Sequence, residues 1–161
     1  IRAVGARRTG RPWRVGIERP DGTGDVWGTV ELVDLGIATS GDYRNYYELD
    51  GRRIHHEIDP ATQAPVANRV ASVSVVHGEC MFADAMATAL IVLGPQRGYA
   101  LAVAQNVAAH FIVRAADGGF VDRSTLPTSG ELHREVNDES FDAEAYDRER
   151  AGRYARREGF Y

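Results

Sequence analysis

At residue 80 the periodicity of this chain changes, and that change limits what it can fold into. Upstream, apolar residues alternate with polar ones in short runs; over residues 80–93 they recur at helical spacing. WRVGI (13–17) and VWGTVEL (26–32) read as strands, with the turn chemistry of PDGTGD (20–25) between them. DLGIATSGDYRNYYEL (34–49) begins with a glycine-containing bend and is expected to continue as one strand. Asp50-Gly51 is a two-residue hairpin signal, and RRIHHEI (52–58) is the expected returning strand. RVASVSVV (69–76) is a further strand. The helix that follows should stop at Gly94 and Pro95, where a C′ glycine and a trailing proline belong. A second, shorter helix is expected over 96–106, and AHFIVRAADGGFV (109–121) reads as a closing hairpin.

The remainder is different. From about residue 124 aliphatic residues thin out and charges multiply, so the chain divides into a domain over 1–123 and a charged extension over 124–161. Within the extension, 142–157 would place acids early and arginines late on a helix, matching its dipole. A length of 161 residues, 43% of them hydrophobic and 26% charged, suits one globular domain. The longest apolar run, 85–94, is far short of the roughly 20 residues that span a bilayer, so no membrane span is expected. No signal peptide is visible, and the first residue is Ile. The net charge of −4 argues against nucleic acid as a partner. With one cysteine, Cys80, no internal disulfide and no cysteine-based metal site can form. All 19 basic residues are arginine, so neither a Schiff-base lysine nor a Walker lysine exists here.

Three stretches could carry chemistry. Asp84 and Thr88, four apart, share one helix face and offer two oxygen ligands of the kind Mg²⁺ takes. The same spacing serves a first-turn acid and a satisfied core hydroxyl. In ATSGDYRNY (38–46), Gly41 allows close backbone approach, Ser40 and Tyr43 can hydrogen-bond a ligand, and Arg44 can face a phosphate. That run also fits a strand with a bulge. In HHEIDPATQAPV (55–66), His56 lies three residues before Asp59, a histidine and a carboxylate able to work as base and orienting acid. Equally, Asp59 can cap its own turn ahead of Pro60.

Taken in order, these pieces say more. ATSGDYRNY, an Asp-Gly hairpin, H-x-I-D-P, a V-x-V strand, then A-D-A-x-x-T-A-L closed by L-G resemble the ApbE family of FAD:protein FMN transferases. The resemblance runs from the N-terminal IRAVGARRTGRPWRVGI to about residue 114. It implies an α+β fold with a mixed or antiparallel sheet, helices packed on one side, and kinship to the tunnelling fold. The implied activity cuts FAD at its pyrophosphate and attaches FMN to a Thr or Ser hydroxyl of a target flavoprotein subunit, releasing AMP, with Mg²⁺ as cofactor. Asp84 and Thr88 match the family's metal ligands, and His56 matches the histidine that acts on the acceptor hydroxyl. Asp59 would then position its loop, and Ser40, Gly41, Tyr43 and Arg44 would line the flavin site. Family members are usually exported bacterial proteins, so a periplasmic or exported location is implied.

Two departures stand out. Where the family reads D-P-x-T-G, this chain has Gln63 in place of the glycine. The resemblance also begins in the middle of the family, so the N-terminal half of such an enzyme is an expected partner. The alternatives are an FAD- or FMN-binding assembly module and a metal-dependent FAD pyrophosphatase.

Overall fold

The computed structural model describes residues 1–50 and 52–126; the helix expected over 142–157 lies outside them. In chain order the elements are β1 (Trp13–Glu18), β2 (Val26–Leu32), β3 (Gly36–Gly41), β4 (Tyr46–Leu49), β5 (Arg52–His55), β6 (Ile58–Asp59) and β7 (Ala64–Pro65). They continue with β8 (Val70–His77), α1 (Cys80–Ala104), β9 (Ala108–Arg114) and β10 (Phe120–Ser124). The main sheet has the order β10-β9-β8-β3. Every strand pairing among the described residues is antiparallel, so the expected α+β class holds with an antiparallel rather than a mixed sheet.

β8 sits inside this sheet with both faces covered, which is why its first six residues are all buried. Val73 and Val75 face α1, in a core with Leu90, Ile91 and Phe111. Val76 faces the opposite way, toward a second core of Ile17, Val30, Leu32, Ile37 and Ile112 that the β1–β2 hairpin closes. The sheet therefore carries a helix on one face, as expected, and a hairpin on the other. Period-two alternation in each strand supplies both faces at once.

α1 turns a single stripe to the sheet: Ala83, Ala87, Leu90, Ile91, Gly94, Gly98 and Ala102 are buried. It breaks where the sequence indicated. Gly94 takes φ 82° and ψ 178°, a conformation open to glycine, and Pro95 begins the second piece with no loop between. The break strands helix carbonyls. Asn68 Nδ2 donates to Ile91 O at 2.7 Å, while Asn68 Oδ1 accepts from Val70 N at 2.8 Å.

Two expected strands are shorter than the sequence suggested. Residues 34–49 divide into β3 and β4, because the chain turns inward at Asp42 to bury its carboxylate. Residues 52–58 break at His56, where the chain bends, and β6 begins two residues later at Ile58. At the other end the fold runs past residue 124: Thr125 N donates to Ala109 O at 2.8 Å and Thr125 Oγ1 to Val107 O at 2.6 Å.

Candidate functional site

Alternation along β3 turns Ala38 into the core under α1 and brings Ser40 to the same helix. Ser40 Oγ lies 2.9 Å from Thr88 Oγ1, and Thr88 Oγ1 also lies 3.3 Å from the Asp84 backbone oxygen. Asp84 and Thr88 are both exposed, one turn apart, beside the buried stripe of Ala83 and Ala87. The Thr88 hydroxyl is satisfied by its contacts with Ser40 and the Asp84 backbone oxygen, as the plainer reading of the pair expected, but in a different setting. Thr88 is not a core hydroxyl, and the first turn of α1 contains no acid. Among the described residues no cluster of three or more His, Cys, Asp or Glu can hold a metal. What α1 and β3 offer together is an oxygen-only set, the Asp84 carboxylate and the Thr88 and Ser40 hydroxyls. That chemistry fits a hard cation such as Mg²⁺, which completes its shell with waters and phosphate oxygens.

The segment after Ser40 is held tightly. A Cβ at Gly41 would lie 2.6 Å from Tyr43 Cε1 and 3.2 Å from Ala71 O, so glycine is what lets the Tyr43 ring fold back over the strand. Asp42, 4% exposed, takes both arms of the Arg114 guanidinium, with Nη2 2.8 Å from Oδ1, and its amide donates to Ala71 O at 3.1 Å. Arg44, expected to face a phosphate, is paired here with Glu18, and Tyr43 Oη donates to the same carboxylate at 3.5 Å. The segment ends at Asn45, whose carbonyl lies 3.4 Å from His56 Nδ1. Residues 40–45 thus join the helix group to the histidine. Five residue steps reach no further than about 18 Å.

His56 stands on the bend after β5, its side chain 57% exposed. Asp59 does not orient it. The Asp59 carboxylate accepts from Ala61 N at 2.9 Å, and its backbone oxygen accepts from Gln63 N at 2.8 Å, so Asp59 shapes the loop. Gln63 has φ 56°, the left-handed conformation a glycine would adopt without strain. The carboxylate nearest the histidine is Glu57, with Oε2 3.5 Å from His56 Nδ1. Glu57 is buried and hydrogen-bonds the buried His55 through the same oxygen. The sequence reading missed Glu57, although its spacing of two from His55 places both on one strand face.

Between the β4–β5 arm and the core lies an open pocket of about 440 Å³, lined by Asp42, Glu48, Arg53, His55, Asn68 and Arg114 among others. None of the candidate residues named from the sequence borders it. Asp21 has its carboxyl held below the usual range. Its burial opposes this and is outweighed by hydrogen bonds from Thr23 and by Arg19. It lies in the β1–β2 turn, which carries no candidate residue.

The model of the ApbE family matches residues 1–111. A FAD:protein FMN transferase of Vibrio cholerae is 49% identical over 119 residues, which is 73% of this chain and 36% of that relative. The apo flavinyl transferase ApbE of Pseudomonas stutzeri has a similar structure, with TM-score 0.65 and 45% identity over 76% of this chain and 38% of that one. The ApbE protein of Thermotoga maritima matches at TM-score 0.65 and 30% identity, covering 81% of this chain and 41% of its own. The chain spans about a third of the length of the curated relatives it matches.

Proposed function

Because the chain belongs to the ApbE family, we propose that it supplies the C-terminal part of an FAD:protein FMN transferase. The observation that carries this reading is the short tie between the Ser40–Thr88 pair and His56 through residues 40–45. It brings the candidate cation ligands and the candidate base to the two ends of one short segment. In the reaction the acceptor hydroxyl oxygen forms a bond to the FMN phosphorus, the bridging P–O bond breaks, and AMP leaves. The hydroxyl proton passes to His56, whose exposure leaves it accessible to a protein substrate. Asp84 and Thr88 would hold Mg²⁺, which when bound neutralises charge on the pyrophosphate. Ser40, Gly41 and Tyr43 would line the flavin site, with Arg44 turning from Glu18 toward phosphate when substrate enters. Asp59 keeps the histidine loop in shape. The rest of such an enzyme would correspond to the roughly two-thirds of the relatives' length that this sequence does not match. Kinship to the tunnelling fold and an exported location belong to the same proposal.

A metal-dependent FAD pyrophosphatase would use these groups with water as acceptor, and the exposure of His56 also suits water. Titration calorimetry with FAD, with and without Mg²⁺, tests the shared premise. Mg²⁺-dependent binding should fall at least about tenfold in Asp84→Ala, the loss of one charged ligand being worth more than about 1.4 kcal/mol. Equal binding by both proteins would sink the metal assignment. His56→Ala then separates the two activities: transfer to a protein hydroxyl should fall further than FAD hydrolysis.

A further inference from the structure

Histidine ring nitrogens are not equivalent, and around His56 the structure distinguishes them. Two acceptors converge on Nδ1: the Asn45 carbonyl at 3.4 Å and Glu57 Oε2 at 3.5 Å. Neither can donate, a carbonyl never and a carboxylate only when protonated. Both therefore favour a proton on Nδ1. The Glu57 side chain is 3% exposed while that of His56 is 57% exposed. The acid is shielded and the ring is open.

Burying a carboxylate is unfavourable unless hydrogen bonds offset the lost hydration. Glu57 is buried with Oε1 lacking any hydrogen-bond partner among the described residues, while Oε2 faces both histidines. His55 ties that oxygen down from inside the fold, and the backbone of Glu57 is pinned where its carbonyl accepts from Val66 N at 3.0 Å. A shape-filling residue at 57 would need no carboxylate. An acid fixed at this point has an electrostatic use: Oε2 holds His55 from inside the fold and at the same time faces the exposed ring of His56.

We propose that Glu57 is a positioning residue: with the Asn45 carbonyl it holds His56 in the tautomer protonated on Nδ1, leaving Nε2 as the open base. Its catalytic meaning rests on the transferase reading given above, in which Nε2 takes the proton of the acceptor hydroxyl. The tautomer itself is a property of the chain alone and is measured without any turnover. Asp59, three residues on, shapes the loop while Glu57 sets the ring.

Nitrogen-resolved NMR of the histidine rings in the full chain, at a pH where they are neutral, reads the tautomer directly. Nδ1–H should be the major form of His56 in the unsubstituted protein. Glu57→Leu should make Nε2–H the major form. Glu57→Gln, which keeps the side-chain shape and a neutral acceptor, should give a mixture. An Nε2–H majority in the unsubstituted chain overturns the proposal without recourse to any variant. Retention of the Nδ1–H majority in both variants overturns the role of Glu57 and leaves the Asn45 carbonyl as the determinant. If the tautomer behaves as expected and the assembled enzyme transfers no flavin, the positioning stands and the transferase reading falls.

Discussion

β8 and β4 are strands of one chain, yet the first six residues of β8 are all buried and all four of β4 are exposed. β8 is held by neighbours on both sides, α1 above and the β1–β2 hairpin below. The β4–β5 arm is held by polar contacts at its root and by stacking on itself, with the Arg53 guanidinium 4.0 Å from the Tyr46 ring centroid. Tyr47 and Leu49, 61% and 55% exposed, find no cover among the described residues. The two halves of the candidate site divide along this line. Asp84, Thr88 and Ser40 stand on the packed core, and His56 stands where the arm rejoins it. On the proposed function, its two chemical roles would thereby have two degrees of support. A metal group needs fixed ligands, and a base that meets a protein substrate needs an accessible one.

Substitutions should expose that difference. Leu90 is fully buried between α1 and β8, so Leu90→Ala should lower global stability by about 4 kcal/mol, read as a lower urea midpoint with one cooperative transition. Little loss would mean that the core is less closely packed than its burial implies. Asp42 joins the arm to the sheet, and Asp42→Ala removes the bidentate partner of the part-exposed Arg114 guanidinium at a cost of about 2 kcal/mol. Hydrogen exchange should then quicken over β4 and β5 before β8 and β9 respond. Uniform acceleration would erase the distinction between the two regions. The smallest effect has the opposite sign. Gln63 occupies a left-handed position, and Gln63→Gly should raise stability by about 1 kcal/mol in the same urea titration. An unchanged or lower midpoint would mean that the greater freedom of glycine in the unfolded chain cancels the relief of strain.

Much of this was legible in the residues. The change of period at Cys80, the helix stop at Gly94 and Pro95, and the two-residue turn after Leu49 are local signals, decided by backbone conformations that few residues adopt. Asp50 has φ 50°, as a turn of that kind requires of its first residue. Asp84 and Thr88 were placed on one face because a helix fixes the spacing of side chains four apart. Gln63 stood out as a departure from the glycine of the loop motif, and its φ of 56° is one that glycine adopts more readily. The break of the long strand at Asp42 was not legible. It depends on Arg114, 72 residues away, whose guanidinium meets that carboxylate only after β9 joins β8.

The same distinction separates Asp59 from Glu57. Sequence spacing nominated Asp59 as the acid that orients His56, and the fold turned its carboxylate to the amide of Ala61. Glu57 sits beside His56 in sequence, where an extended strand would send the two side chains apart, and the bend at residue 56 brings them together. By itself, then, the sequence determined the main strand-forming stretches though not their breaks, where the helix starts and breaks, and which residues share a helix face. All of these follow from short-range periodicity and backbone preference. Only the tertiary structure decided which carboxylate meets which partner, because a side chain's neighbours are set by how distant segments pack, and burial fixes which charged groups must find a partner.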